Sequence, residues 1–296
     1  MKRNILGLAI VGMFVFRSLA VAQFATSIVG YDHGTGFAAN FTNANAALGA
    51  PAAGPSITPY APPFSTTQIV SIGTGGSLTL QFSTPILNDP ANPFGLDLLI
   101  FGNSFFVTTN GTGVTGRTSG AIFTSSVSTR VEVSGDGLSW YTLDPALAPT
   151  VGTFFPTDGI GNPQLPVNPA LSNSDFAGLN VAGIRSLYAG SAGGAGYDLG
   201  WARDGNGDPV NLESASFIRI DVPGGRTQID AVSAVPEPTH LALLGVAAAL
   251  RLLKVRRAGH WAGPARGGTD LLPRTCAPRI TKIQSTSAMA LVANVA

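Results

Sequence analysis

Disulfides, lysine and a second histidine are missing from the part of this chain that can fold. The 296 residues include one cysteine, Cys276, so no intramolecular disulfide can form. A body without such staples must be held by core size and strand pairing. Between Gln23 and Val235 every basic residue is an arginine and the only histidine is His33, in a Gly-containing stretch that reads as solvated loop. No Gly-x-Ser-x-Gly elbow is present to position a nucleophile. Hydrolase chemistry finds few parts here, and the chain reads as non-enzymatic. Long apolar runs are scarce too: Ile5–Phe16 and Leu241–Leu250 both fall short of the ~20 residues of a full membrane span.

The formal net charge of +1 hides a segregation. The body from Gln23 to Val235 sets six arginines against fourteen acidic side chains, a net charge of about −8, while the basic residues collect at the two ends. An acidic body offers no electrostatic footprint for phosphates, which argues against nucleic acid as a partner.

What is abundant is turn chemistry, with 37 glycines and 21 prolines. Between the turns lie short runs of period two. Leu78, Leu80 and Phe82 alternate with polar neighbours in SLTLQF, and Val131 and Val133 do so in TRVEVS, which Asp136-Gly137 turns into Trp140-Tyr141-Thr142-Leu143. LDLLIF at Leu96–Phe101 is apolar throughout except for Asp97, as suits a central strand covered on both faces. FIRIDV at Phe217–Val222 and IDAV at Ile229–Val232 complete the set. No helical period runs through the body, Phe105–Ser128 reads as a mobile loop or an extra hairpin, and Asp144–Ala189 reads as a poor place for core. The expectation is an all-β sandwich. It is flanked by an N-terminal signal peptide (1–22), an Ala/Gly/Pro-rich segment packing on the sandwich (23–69), the sandwich itself (70–234), a C-terminal hydrophobic anchor helix within 235–257 and a disordered tail (258–296).

Lys2 and Arg3 ahead of the apolar Ile5–Phe16, followed by Ala20-Val21-Ala22, form a secretory signal with cleavage expected between Ala22 and Gln23 by signal peptidase. Within the body, Asp204, Asn206 and Asp208 alternate oxygen donors with glycine. Together with Asp198 they are candidate ligands of a structural Ca²⁺, although Pro209 follows and a solvated Asp/Gly turn accounts for the same residues. Asp97, Asn103 and Asp230 flank strands and are further candidates for a rim cation. Trp140, Tyr141, Tyr197 and Trp201 form a candidate sugar-stacking platform, against which stands ordinary core packing of aromatic side chains.

Val235-Pro236-Glu237-Pro238, the apolar Leu241–Leu250 and a basic cluster ending in Arg256-Arg257 follow one another directly. The order resembles the PEP-CTERM sorting signal, and the resemblance implies transient membrane anchoring through the C-terminal helix and processing near the triplet by an exosortase-type membrane protease. The chain departs from that pattern in having Arg251 within the apolar stretch and in continuing to Ala296. The pieces GGSLTLQF, LDLLIFGN, VEVSGDGLSWYTL, GYDLGWARDGNGDPVNL, FIRIDV and IDAV are similar to the globular region of galactose-binding-domain-like surface proteins that carry this signal. That similarity implies a jelly-roll-like sandwich. The expected function is an exported, non-enzymatic cell-envelope or extracellular-matrix protein. The alternative is a carbohydrate-binding module for extracellular polysaccharide.

Overall fold

The computed structural model describes residues 23–111 and 113–236. The expected signal peptide with Ala20 and Ala22, the anchor helix, the tail, and Glu237, Pro238, Arg256 and Arg257 of the sorting signal lie outside the described residues. In chain order the elements are β1 (Ser27–Asp32), β2 (Val70–Gly73), β3 (Ser77–Leu87), β4 (Leu98–Gly102), β5 (Phe105–Asn110), β6 (Arg117–Phe123), β7 (Val127–Ser134), β8 (Tyr141–Leu143), α1 (Val181–Tyr188), β9 (Ala195–Tyr197), β10 (Ala202–Arg203) and β11 (Ser214–Ala234). The described chain is therefore all-β, with one large antiparallel sheet and little helix.

β11 organises that sheet. Its first half lies between β3 and β7, within the order β1-β3-β11-β7-β8-β10, and its second half lies between β2 and β4, with β9 beyond β4. The sequence reads FIRIDV and IDAV as two strands because Pro223-Gly224-Gly225 has the composition of a turn. The structure corrects this to one strand that bends. Gly225 takes φ +77, a left-handed conformation open to glycine, and pairing passes from Val127 of β7 to Gly73 of β2 within one residue. Strands that change sheets at such a bend make the corners of β-sandwiches.

The apolar positions of period two point into one core. Ile218, Ile220 and Val222 of β11 meet Leu78, Leu80 and Phe82 of β3 and Val131 and Val133 of β7. From the other half come Val70, Ile72, Leu98, Ile100, Ile229 and Val232, all in the same buried cluster. The arrangement is β-sandwich-like. Leu98, Leu99, Ile100 and Phe101 are all buried, because Leu99 and Phe101 face a second apolar layer with Ala192, Ala231 and Val235. The N-terminal segment is more than packing material. It contributes β1, paired antiparallel to β3, and buries Ala25 and Ala47 in the main core.

A separate cluster corrects the expectation that Asp144–Ala189 is poor in core. Phe106, Phe155, Val167, Phe176, Ile184 and Tyr188 bury one another beside the main sheet. β5 and β6 form the extra hairpin, and β6 lies so close to the turn Asn173–Phe176 that a Cβ on Gly120 (φ +88) would overlap the Asn173 carbonyl. α1 starts where the Asn180 side chain accepts from the Gly183 amide at 3.0 Å, and it buries Val181, Ile184 and Tyr188 on one face. Two turns of helix are too short to register as a period among so many glycines and prolines. Among the described residues no helix is long and apolar enough to cross a membrane.

Candidate functional site

Asp97 is the buried charge around which one end of the fold is arranged. It sits just before β4 and is fully buried. Its Oδ1 accepts from the Asp89 amide at 3.0 Å and from Asn92 Nδ2 at 2.9 Å, and its Oδ2 accepts from the Leu199 amide at 2.9 Å. The main chain of Asp97 is engaged as well, donating to Tyr197 and accepting from Val235, each at 2.8 Å. Burial pushes the carboxyl up to about 6, against those three donors and with the negative charge of Asp198 adding to the shift. Asn92, also buried, leaves its Oδ1 as the one buried side-chain oxygen or nitrogen without a partner among the described residues.

Asp97 thereby ties the loop after β3 to the turn after β9. Between these and the segment before β11 opens a cleft of about 410 Å³, lined by Asn88, Pro90, Gly95, Asp198, Gly200, Asn211 and Glu213. The walls are bonded together: Asn88 donates through its main chain to Glu213 at 2.9 Å and through Nδ2 to Leu212 at 2.9 Å. The cleft carries two carboxylates, two carboxamides and no cationic side chain. Phe94, next to Gly95 of the wall, stands 55% exposed with a left-handed backbone at φ 60. This is the chemistry of a surface that offers hydrogen bonds to a neutral or cationic polar ligand.

The expected calcium ligands are placed differently. Asp198 is half-buried and caps the turn Leu199–Trp201, accepting from the Gly200 amide at 2.6 Å. Asp204 accepts from the amides of Asn206 at 2.8 Å and Asp208 at 2.9 Å through Oδ1, and these donors hold its carboxyl below the usual carboxylate range. The Asp204–Asp208 loop is thus closed by its own main chain. Among the described residues no group of three or more His, Cys, Asp or Glu is arranged to hold a metal ion. Asn103 follows β4, half-buried. Asp230 is buried under the Ala52 amide, which approaches both its oxygens at 3.2 and 2.9 Å, and burial pushes its carboxyl up to about 7.

The four aromatic candidates do not form one platform. Tyr197 is fully buried, its hydroxyl donating to the Pro149 carbonyl at 2.9 Å, so it belongs to the core. Tyr141 and Trp201 are half-buried and pack on the same core. Trp140 alone faces the outer side of the sheet, where the Arg219 guanidinium lies 4.3 Å from its ring centroid. Arg219 is also paired with Glu132, Arg130 with Asp221 at 2.8 Å, and Thr142 with Glu132 at 3.4 Å. The charges on this face already satisfy one another, and Trp140 serves as packing for Arg219.

Sequence reasoning missed the cleft residues Asn88, Pro90, Gly95 and Asn211. The one signal for them is the density of Asn, Asp and Pro in Asn88-Asp89-Pro90-Ala91-Asn92-Pro93, which marks an elaborate loop without saying what closes over it. Gln23, Val235 and Pro236 are the members of the expected processing sites that fall within the described fold. No protein-family model matches the chain, and no curated protein matches it.

Proposed function

We propose that this is an exported, non-enzymatic cell-envelope or extracellular-matrix protein. In this reading a jelly-roll-like body is delivered by residues 1–22, held at a membrane by the C-terminal apolar segment, and processed at Pro236-Glu237-Pro238 by an exosortase-type protease. The observation that supports it best is where the fold closes. The Ala234 amide donates to the Gln23 carbonyl at 2.9 Å, and Val235, 5% exposed, packs with Leu99, Phe101 and Ala231. Among the described residues, main-chain pairing reaches from Gln23 to Val235, the residue before Pro236. Cuts at both expected sites leave every buried residue of the described fold in place. Pro236 cannot donate to a further ladder bond, so the triplet begins where pairing must stop.

Replacing Pro236, Glu237 and Pro238 together with alanine is expected to leave export and folding unchanged while trapping an unprocessed, membrane-associated form in a host that has exosortase. Cell fractionation with immunoblotting reads this directly. A triplet variant processed and released like the parent protein would remove the sorting signal from the account.

A second reading, glycan binding, is favoured by the cleft rather than by the aromatic set expected from sequence. Asn88, Asp198, Asn211 and Glu213 line one cleft with the acceptors and donors that sugar hydroxyls use, and Phe94, adjacent in sequence to the lining Gly95, is exposed. If the cleft takes a saccharide unit, Asn211→Ala with Glu213→Gln should weaken the binding of whichever array glycan the parent retains by about tenfold or more, since each unmade polar contact costs about 1–3 kcal/mol. Calorimetric titration measures this. A parent protein that retains no glycan, or a variant that binds as well, sets the second reading aside.

A further inference from the structure

We propose that export turns Gln23 into an N-terminal pyroglutamyl residue, a modification made by the chain's own atoms. The proposal rests on cleavage between Ala22 and Gln23. Once that bond is cut, the α-amine of Gln23 and its own side-chain carboxamide can close a five-membered ring. The α-nitrogen attacks Cδ, a new N–Cδ bond forms, the Cδ–Nε2 bond breaks, and Nε2 leaves as ammonia with the proton given up by the attacking amine. No oxidant, water or cofactor is consumed.

The fold seats Gln23 so that this closure disturbs little. Its carbonyl oxygen is fixed by the Ala234 amide at 2.9 Å, Phe24 bridges Ser233, and the Ala25 amide donates to Val232 at 3.1 Å. None of those bonds uses a reacting atom, and all of them survive the ring. The side chain is held by a single long contact, Nε2 to the Thr84 carbonyl at 3.3 Å, on an exposed edge of the sheet. That contact is what the molecule gives up when Nε2 departs. Gln23 is half-buried rather than enclosed. The product is an uncharged end that aminopeptidases cannot trim, placed beside the last residues of β11. An open terminus there would expose to trimming the residues that pair with Val232–Ala234.

The test uses the full chain, exported by its host, with the N-terminal peptide of the mature protein sequenced by mass spectrometry. A synthetic peptide with an open N-terminal glutamine is carried through the same work-up to exclude closure during handling. The expected peptide begins at residue 23, is lighter by one ammonia, and is opened to sequencing by pyroglutamyl aminopeptidase. The Gln23→Ala variant should show a free amine and no ammonia loss. A free amine on Gln23 in the parent protein, or an ammonia loss that persists in Gln23→Ala, overturns the lactam and leaves the cleavage reading standing. A mature terminus elsewhere overturns both.

Discussion

Replacing Arg185 with alanine should destabilise the body by about 3 kcal/mol, read as a lowered urea midpoint of the purified mature protein. Asp158 is 2% exposed and receives Arg185 Nε and Nη2, each at 2.8 Å, as its only side-chain partner among the described residues. Removing the guanidinium leaves a carboxylate buried and unpaired, and it is this orphaned charge that is costly, more than the loss of the pair itself. The Arg185 side chain is one-third exposed, which places the expected cost at the lower end of the ~3–5 kcal/mol seen when buried pairs are broken. The pair fastens α1 to the strip that also receives the Tyr188 hydroxyl at the Pro156 carbonyl, so the second cluster should loosen first. Replacing both partners with leucine should cost less than Arg185→Ala alone. A single variant within about 0.5 kcal/mol of the parent, the range of ordinary surface substitutions, would show that the pair does not fasten the helix.

Stability should also fall as pH rises from about 4 to about 7, the reverse of the trend in a protein whose acids are all paired. Asp97 and Asp230 are pushed up by burial to about 6 and about 7, so across this interval the folded state holds protons that the unfolded chain has released. Wherever the native state binds more protons, stability declines with pH. Below about 4 the sign changes. Asp136, held down to about 2 by the amides of Ser139 and Leu138, favours the native state while ionised, and that contribution is lost as pH falls through its own range. The maximum should therefore lie near pH 4–5. Each tenfold change in proton affinity is worth about 1.4 kcal/mol, which puts the Asp230 contribution on the order of 4 kcal/mol. Asp230→Asn keeps an acceptor for the Ala52 amide and removes the charge, so it should stabilise the protein at pH 8 and flatten the profile. Asp97→Asn should not, because its new NH₂ would meet donors on every side. Denaturation midpoints from pH 4 to 8 for the three proteins decide this, and a parent profile that rises toward neutrality would contradict it.

How far the sequence could be read depended on where the signal lay. Strands that alternate, such as Ser77–Phe82 and Thr129–Ser134, were legible because one wet face and one buried face leave a period of two in the residues. LDLLIF was legible because both its faces are buried. α1 and the second cluster were not, since their apolar residues are spread singly from Phe106 to Tyr188 among turn residues and meet only in three dimensions. β11 was split for a related reason: Pro223-Gly224-Gly225 has a local meaning, a turn, that the long-range pairing with β2 and β7 overrides. Of the site, Asp97 announced itself as a carboxylate that must be satisfied, and three N–H donors satisfy it. The cleft did not announce itself, because Asn88, Asp198 and Glu213 come from three separate segments. Tyr197 shows why composition left two readings open: an aromatic residue can offer a stacking face or fill the core, and here it is buried.

The most direct measurement of the central claim is the intact mass of the mature protein recovered from the envelope of an exosortase-bearing host. Export and processing predict a chain that begins at Gln23 and ends close to the Pro236-Glu237-Pro238 triplet. A mass that still includes residues 239–296, or that retains Met1, would contradict it.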